Sequence, residues 1–301
     1  MKRLSIIIVT YNSEHDIYDC LASIRKHQDL QPEELEIIIV DNNSRDTDGM
    51  FAKLRELYGN DIVLVKNTNN GGYGQGNNVG IRMATAPVIL IMNPDVRLLM
   101  PIFKTATDAF EHYSELSMYG MKQLLGNLQD SRNSFCCEYA MNGYVYTIMT
   151  SLCNHFDIFF QKYMYFSGSC FFIRRSMFTE AGLFDENIFM YGEEEDIHFR
   201  MRMKGYKRMV YNPNLNYVHM VENRLPDLRY EVKLLEAAIY QGNKRGLTAL
   251  HTIKNRLRHN NVMLLREFIL IFMGKKDKSL YNMLLEFRQE LKERLRKEKQ
   301  R

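Results

Sequence analysis

The sequence predicts an α/β protein: a mostly parallel sheet flanked by helices, with a helical region at its C-terminal end. Two observations carry this. Short apolar runs recur at Leu4–Val9, Leu35–Val40, Ile62–Lys66 and Val88–Met92, and segments of helical period separate them. The runs are also continuous rather than alternating, as expected of strands covered on both faces. Such alternation from the first residue is the pattern of a parallel sheet between helices. The expected division is a domain over residues 1–225 and a helical region over 226–301.

After the first run, Ser13 is placed to cap a helix reaching about His27, with Asp16 three residues on and Ile17, Leu21 and Ile24 as its apolar stripe. A second helix is expected over about Gly49–Tyr58. The glycine-rich stretch Asn67–Asn78 reads as a loop opening a third helix over Val79–Thr85. Val88–Met92 runs into Asn93-Pro94-Asp95. Pro94 has no N–H for a ladder, so the strand ends there and Asp95 stands just past its carboxyl end. That rim is where open α/β sheets bind ligands.

Lys104–Tyr113 reads as helix, and Gly120–Met164 shows no clean period and is expected to form a variable, substrate-facing region. A strand follows Phe166-Ser167-Gly168, then a short helix at Met177–Ala181 ending at Gly182. Ile197, Phe199, Met201 and Met203 fit either period. The acidic start at Glu193–Asp196, the basic end and Gly205 decide for helix. Arg208–Tyr211 and Leu215–His219 read as two short strands, and everything from Asp227 as helix.

The 301 residues are 46% hydrophobic and 25% charged, ordinary for a globular protein, and the formal charge of +4 is too small for a dedicated nucleic-acid binder. Five cysteines without a CxxC pair suggest reduced thiols, and Cys136-Cys137 reads as structural. No run approaches the length that spans a bilayer; Phe268–Met273 is far too short. The expected location is cytoplasmic, with peripheral contact at the inner membrane face as an option. In Lys275–Arg301, Leu280, Leu284, Phe287, Leu291 and Leu295 form an apolar stripe against a basic face. That stripe either docks on anionic lipid or a membrane partner, or packs on protein, including a second subunit.

Several clusters are candidates for chemistry. Thr10-Tyr11-Asn12 and Asp41-Asn42-Asn43-Ser44 follow strand ends and should meet Asp95 on one rim. Asp41 is suited to accept hydrogen bonds from a pyrimidine or ribose; the alternative for both clusters is a pair of Asx turns. Gly71–Asn78 is neither a dinucleotide fingerprint nor a P-loop. Its glycines either admit a nucleotide or sugar close to the backbone or make a flexible loop. In Glu193-Glu194-Glu195-Asp196, crowded carboxylates raise one another's pKa, which suits a general base but also occurs in structural clusters. His219 ends a strand and is a ligand candidate beside Asp95.

In order, SIIIVTYNS, EIIIVDNNS, NGGYGQGNN, LIMNPDV, SGSCFFIRR and GLFDENIFMYGEEED, with a late His, resemble the motif series of glycosyltransferase family 2, in particular its bacterial rhamnosyl- and galactofuranosyl-transferase-like members. The resemblance runs from Lys2 to about His219. It implies a GT-A fold, a UDP- or dTDP-sugar donor, a glycan or lipid-linked acceptor in cell-surface polysaccharide synthesis, a Mg2+ or Mn2+ ion and inversion at the anomeric carbon. Thr10, Tyr11, Asn12, Asp41, Asn43, Gly72, Asn78 and Asn93 would then lie along the nucleotide-sugar, and Asp95 and His219 would hold the metal. Glu194 would be the base, with Glu193 or Glu195 as the alternative. Asn93 and Glu194 each stand where the family has Asp. Two other readings compete: a sugar-nucleotide pyrophosphorylase, disfavoured by TYNS after the first strand, and a non-catalytic nucleotide-sugar or interaction module.

Overall fold

The computed structural model describes residues 1–138, 142–220 and 226–300. The expected boundary at 225 lies outside the described residues. The chain divides into two compact units, Met1–Cys136 with Phe159–Val221, and Cys137–Ile158 with Glu222–Arg301.

The first unit has the expected α/β architecture, without residues 137–158. Its strands are β1 (Leu4–Thr10), β2 (Leu35–Asp41), β3 (Val63–Lys66), β4 (Val88–Met92), β5 (Val96–Leu98) and β6 (Leu116–Leu124), then β7 (Phe135–Cys137), β8 (Met164–Phe166), β9 (Cys170–Arg174) and β10 (Arg208–His219). Eight form one sheet in the order β3-β2-β1-β4-β9-β6-β10-β5, and β7 pairs with β8 separately. β1 is parallel to β2 and β4, β2 to β3, and β6 to β10; β9 runs antiparallel between β4 and β6. Ile6, Ile7 and Ile8 of β1 and all five residues of β4 are buried, as their uninterrupted apolar runs require. Because β1 pairs with β2 on one side and β4 on the other, a crevice opens at their carboxyl ends.

Helices α1 (Glu14–Lys26), α2 (Thr47–Tyr58), α3 (Gly72–Met83), α4 (Phe103–His112), α6 (Arg175–Glu180) and α7 (Glu193–Met203) complete this unit. Three expectations are corrected. The glycine-rich stretch is a loop only as far as Gly71; from Gly72 to Asn78 it forms the first part of α3. A Cβ on Gly80 would lie 2.6 Å from an Ile7 methyl and one on Gly76 2.7 Å from a Val9 methyl, so these glycines let the helix lie directly on the sheet. Arg208–Tyr211 and Leu215–His219 are one strand, β10, whose pairing with β6 slips between Asn212 and Asn216; the irregularity at Pro213 hides the continuity from the sequence. Ser13 is the N-cap of α1 by position, but its hydroxyl turns to Tyr11 and caps nothing.

The second unit contains α5 (Gly143–His155), α8 (Leu228–Lys244), α9 (Ala249–Phe272) and α10 (Ser279–Gln300). Residues 143–155, which show no clean period in sequence, are therefore helical and belong with the C-terminal helices. The leucine stripe of α10 is spent on packing. Leu284, Phe287 and Leu291 are buried with Leu235 of α8 and with Ile253 and Leu264 of α9, and Leu280 and Leu295 pack at the edge. Among the described residues no helix is long and apolar enough to cross a membrane. All five cysteines are free thiols, and four are buried.

Gly72 fixes the start of α3. Its φ is +87°, and a Cβ there would stand 1.8 Å from the Phe189 carbonyl oxygen. Gly205 has φ +89° with open space around it. Gly205→Ala should therefore cost only the left-handed conformation, about 1–2 kcal/mol. Gly72→Ala should cost that plus displacement of the 189 backbone, so urea denaturation should find it the less stable of the two.

Candidate active site

The rim of β1 and β2 is closed by the chain's own polar groups. Thr10 and Asp41 face each other in register, and the Thr10 hydroxyl donates to Asp41 Oδ1 at 3.0 Å. Asp41 is fully buried and also accepts from Ser44 Oγ (2.5 Å), Ser44 N (2.9 Å) and Thr47 Oγ1 (2.5 Å). With two donors on each oxygen, this carboxylate shapes the 41–47 turn; it does not stand open to a base or ribose. The two loops also clasp each other: Asn12 N donates to Ser44 Oγ and Arg45 N to Asn12 Oδ1. Asn12 and Asn43 both take positive φ, +51° and +65°. Of the residues in these two motifs, Tyr11, Asn12 and Asn43 are exposed.

Asn78 and Gly72 also differ from their expected placement beside a nucleotide. Asn78 is buried; its side chain donates to the Phe184 carbonyl and Glu186 Oε1 and accepts from Phe184 N, which ties α3 to the 184–186 segment. The close approach that Gly72 permits is to Phe189. Asn42 and Asn67 extend this amide network, with Asn42 donating to the Gly72 carbonyl and Asn67 to both Asn42 and Gln75.

Asp95 stands where expected, in the turn between β4 and β5. Arg97 holds the turn by donating to the Pro94 and Val96 carbonyls. Asn93 N donates to the Ser169 carbonyl, and Met220 N to the Asp95 carbonyl. Asp95 Oδ2 is 3.2 Å from His219 Nε2, while Asp95 Oδ1 is buried without a hydrogen-bond partner. An orphaned hard oxygen beside an imidazole nitrogen fits a divalent cation. Among the described residues no third His, Cys, Asp or Glu joins them. Two such groups would leave the rest of a cation's shell to water and phosphate oxygens.

The acidic run begins α7 after Gly192, whose φ is +98°. Glu193 and Glu195 are buried, while Glu194 keeps an accessible edge. Burial, reinforced by the neighbouring Glu194 charge, pushes the Glu193 carboxyl well above its ordinary range, and Glu193 Oε1 has no partner among the described residues. The Glu194 carboxyl is also raised by burial, opposed by the backbone N–H groups of Glu194 and Gly192. Glu194 lies against bare backbone: a Cβ on Gly168 would fall 1.8 Å from Glu194 Oε1. The Gly168 carbonyl accepts from the Tyr73 hydroxyl, and the next residue, Ser169, holds Asn93. Glu194 and Asp95 are thus joined through the segment 168–169.

Sequence reasoning missed His198, one turn beyond Glu194. It is fully buried among Phe166, Tyr165 and Phe171. Phe166 N donates to its Nε2 at 3.1 Å, so Nε2 is unprotonated and Nδ1–H donates to the Glu194 carbonyl at 2.6 Å. Burial pushes the ring down to about 3, which keeps it neutral. The only signal in the sequence is a His on the inner face of an amphipathic helix. Gly168 was visible as a glycine among small residues, without its partner.

His198→Phe leaves the Phe166 N–H without its partner and removes a bond to the Glu194 carbonyl. A loss of roughly 2–4 kcal/mol is expected on chemical denaturation, from the cost of buried unpaired groups. The sign with pH follows from the ring's depressed pKa. Below its ordinary value near 6.5 the unfolded chain takes up a proton that the fold refuses, so wild-type stability falls as pH drops from there toward about 3. His198→Gln, which cannot titrate, should show a shallower decline over that window.

Comparison with known proteins places this geometry. Residues 5–114 match the sequence model of Glycosyl transferase family 2. Poly(ribitol-phosphate) beta-N-acetylglucosaminyltransferase TarS of Staphylococcus aureus is 34% identical over 131 residues, which cover 42% of this chain and 22% of that protein. The low-salt glycan biosynthesis hexosyltransferase Agl10 of Haloferax volcanii is 27% identical over 209 residues, 67% of this chain and 62% of Agl10. The chain thus spans about a fifth of the length of the first curated relatives it matches. Mannosyltransferase PcManGT from Pyrobaculum calidifontis, solved with GDP-Man and Mn2+, superposes with a TM-score of 0.56 at 17% identity, over 81% of this chain and 64% of that one. The TarS 1-349 structure with UDP-GlcNAc gives 0.55 at 18%, over 87% and 71%. The shared sheet and the matched motifs make one statement: residues 5–114 match glycosyltransferase family 2, and the chain has the GT-A fold of the solved glycosyltransferases.

Proposed function

We propose that the chain transfers a sugar, with inversion, from a UDP- or dTDP-sugar to a hydroxyl of a glycan or lipid-linked acceptor in the synthesis of a cell-surface polysaccharide. The observation that carries this reading is the link between Glu194 and Asp95 through Gly168 and Ser169. A proton acceptor and a diphosphate anchor must lie on either side of a reacting anomeric carbon, and here one short segment ties both. The names of TarS and Agl10, both sugar transferases, agree with it.

In this reading Tyr11, Asn12 and Asn43 face the nucleoside, and Thr10 and Asp41 hold the two loops in place behind them. Asn93 and Asp95 stand at the diphosphate. Mg2+ or Mn2+, held by Asp95 and His219, would supply charge compensation for the leaving diphosphate. Glu194 takes the proton from the acceptor hydroxyl as its oxygen bonds to the anomeric carbon. The bond from that carbon to the diphosphate oxygen breaks on the opposite face, which inverts the configuration. Of the three glutamates, Glu194 combines a raised pKa with access; Glu193 and Glu195 are enclosed.

Three measurements test this. Glu194→Gln should retain UDP binding by calorimetry while transfer from a panel of nucleotide-sugars falls by about two to four orders of magnitude, the usual worth of a general base. Glu193→Gln should be milder, and equal losses would remove the assignment. The base works ionised, so the wild-type rate should rise with pH on an acid limb lying above the ordinary glutamate value of 4.5. Asp95→Ala should bind UDP with the same affinity with and without Mn2+, whereas the wild type binds more tightly with it. Binding of UDP without turnover of any donor would favour the non-catalytic module.

A further inference from the structure

Helix α9 buries polar side chains beside Ile253 and Leu264 and exposes apolar ones. Its buried residues include Thr252, Asn255, Arg256, Asn260 and Glu267. Facing out near its C-terminal end are Leu265 (62% exposed), Phe268 (56%), Ile269 (48%) and Phe272 (85%), followed by Met273 (54%). The inward polar face is fixed. Arg256 pairs with Glu231 of α8, Asn260 Nδ2 donates to the Leu284 carbonyl of α10, and Lys276 reaches Glu267 at 3.2 Å. Leu265, Phe268, Ile269 and Phe272 follow i, i+3, i+4, i+7 spacing, so they form one stripe about 10 Å long. A helix that buries ion pairs while exposing two phenylalanines is not explained by the packing of its own unit.

Charge identifies what meets the stripe. Arg266 is exposed on the same stretch, and the stripe runs directly into the exposed turn Lys275-Lys276-Asp277-Lys278. Residues 275–300 contain nine Lys and Arg against five Asp and Glu, an excess equal to the formal charge of the whole chain, +4. A second copy would bring the same positive charge to the contact, whereas an anionic lipid surface brings the opposite one. Apolar side chains on one helix face bordered by lysines are the features of interfacial binding.

We propose that the C-terminal end of α9, with the turn at 275–278, docks on an anionic bilayer surface. Leu265, Phe268, Ile269 and Phe272 enter the boundary of the acyl chains, and Lys275 and Lys278 lie against the headgroups. This surface replaces the α10 stripe that the sequence suggested, because that stripe is buried against α8 and α9. The inference uses no residue of the candidate active site and stands whether or not the transfer reading does.

The test is sedimentation of the full chain with phosphatidylcholine vesicles, with and without phosphatidylglycerol, at low and high salt. The wild type should pellet with the anionic vesicles at low salt and be partly released by high salt. Phe268→Glu with Phe272→Glu should lower the partition coefficient tenfold or more. Phe268→Leu with Phe272→Leu should largely keep it. Lys275→Glu with Lys278→Glu should abolish the preference for anionic lipid. These side chains are exposed, so unchanged circular dichroism is expected for each variant. Two results would overturn the proposal: a wild type that stays in solution with anionic vesicles at low salt, or equal pelleting of wild type and the double glutamate variant. Light scattering that shows a wild-type dimer dispersed by the glutamate pair, without vesicle binding, would assign the face to a second copy.

Discussion

The carboxyl of Glu194 lies against the backbone of Gly168, and most of the candidate site follows from that contact. A carboxyl of raised pKa must be enclosed, yet the base proposed here must also reach its substrate. A glycine opposite it meets both demands, because it brings backbone close without a side chain to cover the oxygen. The contact needs α7 held at one height, and the His198 ring does this by joining the Glu194 carbonyl to the strand at Phe166. It also needs the 168–169 segment held from the other side, through the Tyr73 hydroxyl and the Asn93 N–H. Helix, strand end and the Asn93–Asp95 turn therefore share one set of hydrogen bonds.

The rest of the rim is organised before any ligand arrives. Asp41, Asn42 and Asn78 are buried and bonded to the chain itself. Fixing these loops in the free protein spares that ordering at the moment of binding. The groups left over are those that the proposed donor would meet. Asp95 Oδ1 is an orphan oxygen beside His219, and Tyr11, Asn12 and Asn43 stand accessible at the tips of loops whose bases are locked.

The helical unit solves a different problem. Its core is small, built from α8, α9 and α10 around Leu235, Phe287 and Leu291, and the ion pair of Arg256 with Glu231 lies beside it. Burying charge in helices that retain exposed phenylalanines gives up stability within the unit. That arrangement makes physical sense where the apolar face has a partner of its own.

The sequence by itself determined β1, β2 and β4, since five apolar residues without alternation can be satisfied only between two layers, and Pro94 ends β4 wherever the chain goes next. It determined that Thr10, Asp41 and Asp95 share a rim, because parallel strands end on one side. It also determined the helix at Glu193, whose acidic start and basic end match the dipole. Tertiary structure alone decided which polar residues face inward. Asn78 and Asn43 are the same residue type in neighbouring motifs, yet one is spent on the 184–186 backbone and the other stands open. Gly74 and Gly76 read as loop but are helix, because the missing side chain lets α3 lie against Phe184 and Val9. The leucines of α10 and the phenylalanines of α9 look alike in periodicity, and only packing shows which stripe is covered. A side chain's chemistry is local, but its availability depends on what distant segments have already claimed, and no spacing along the chain records that.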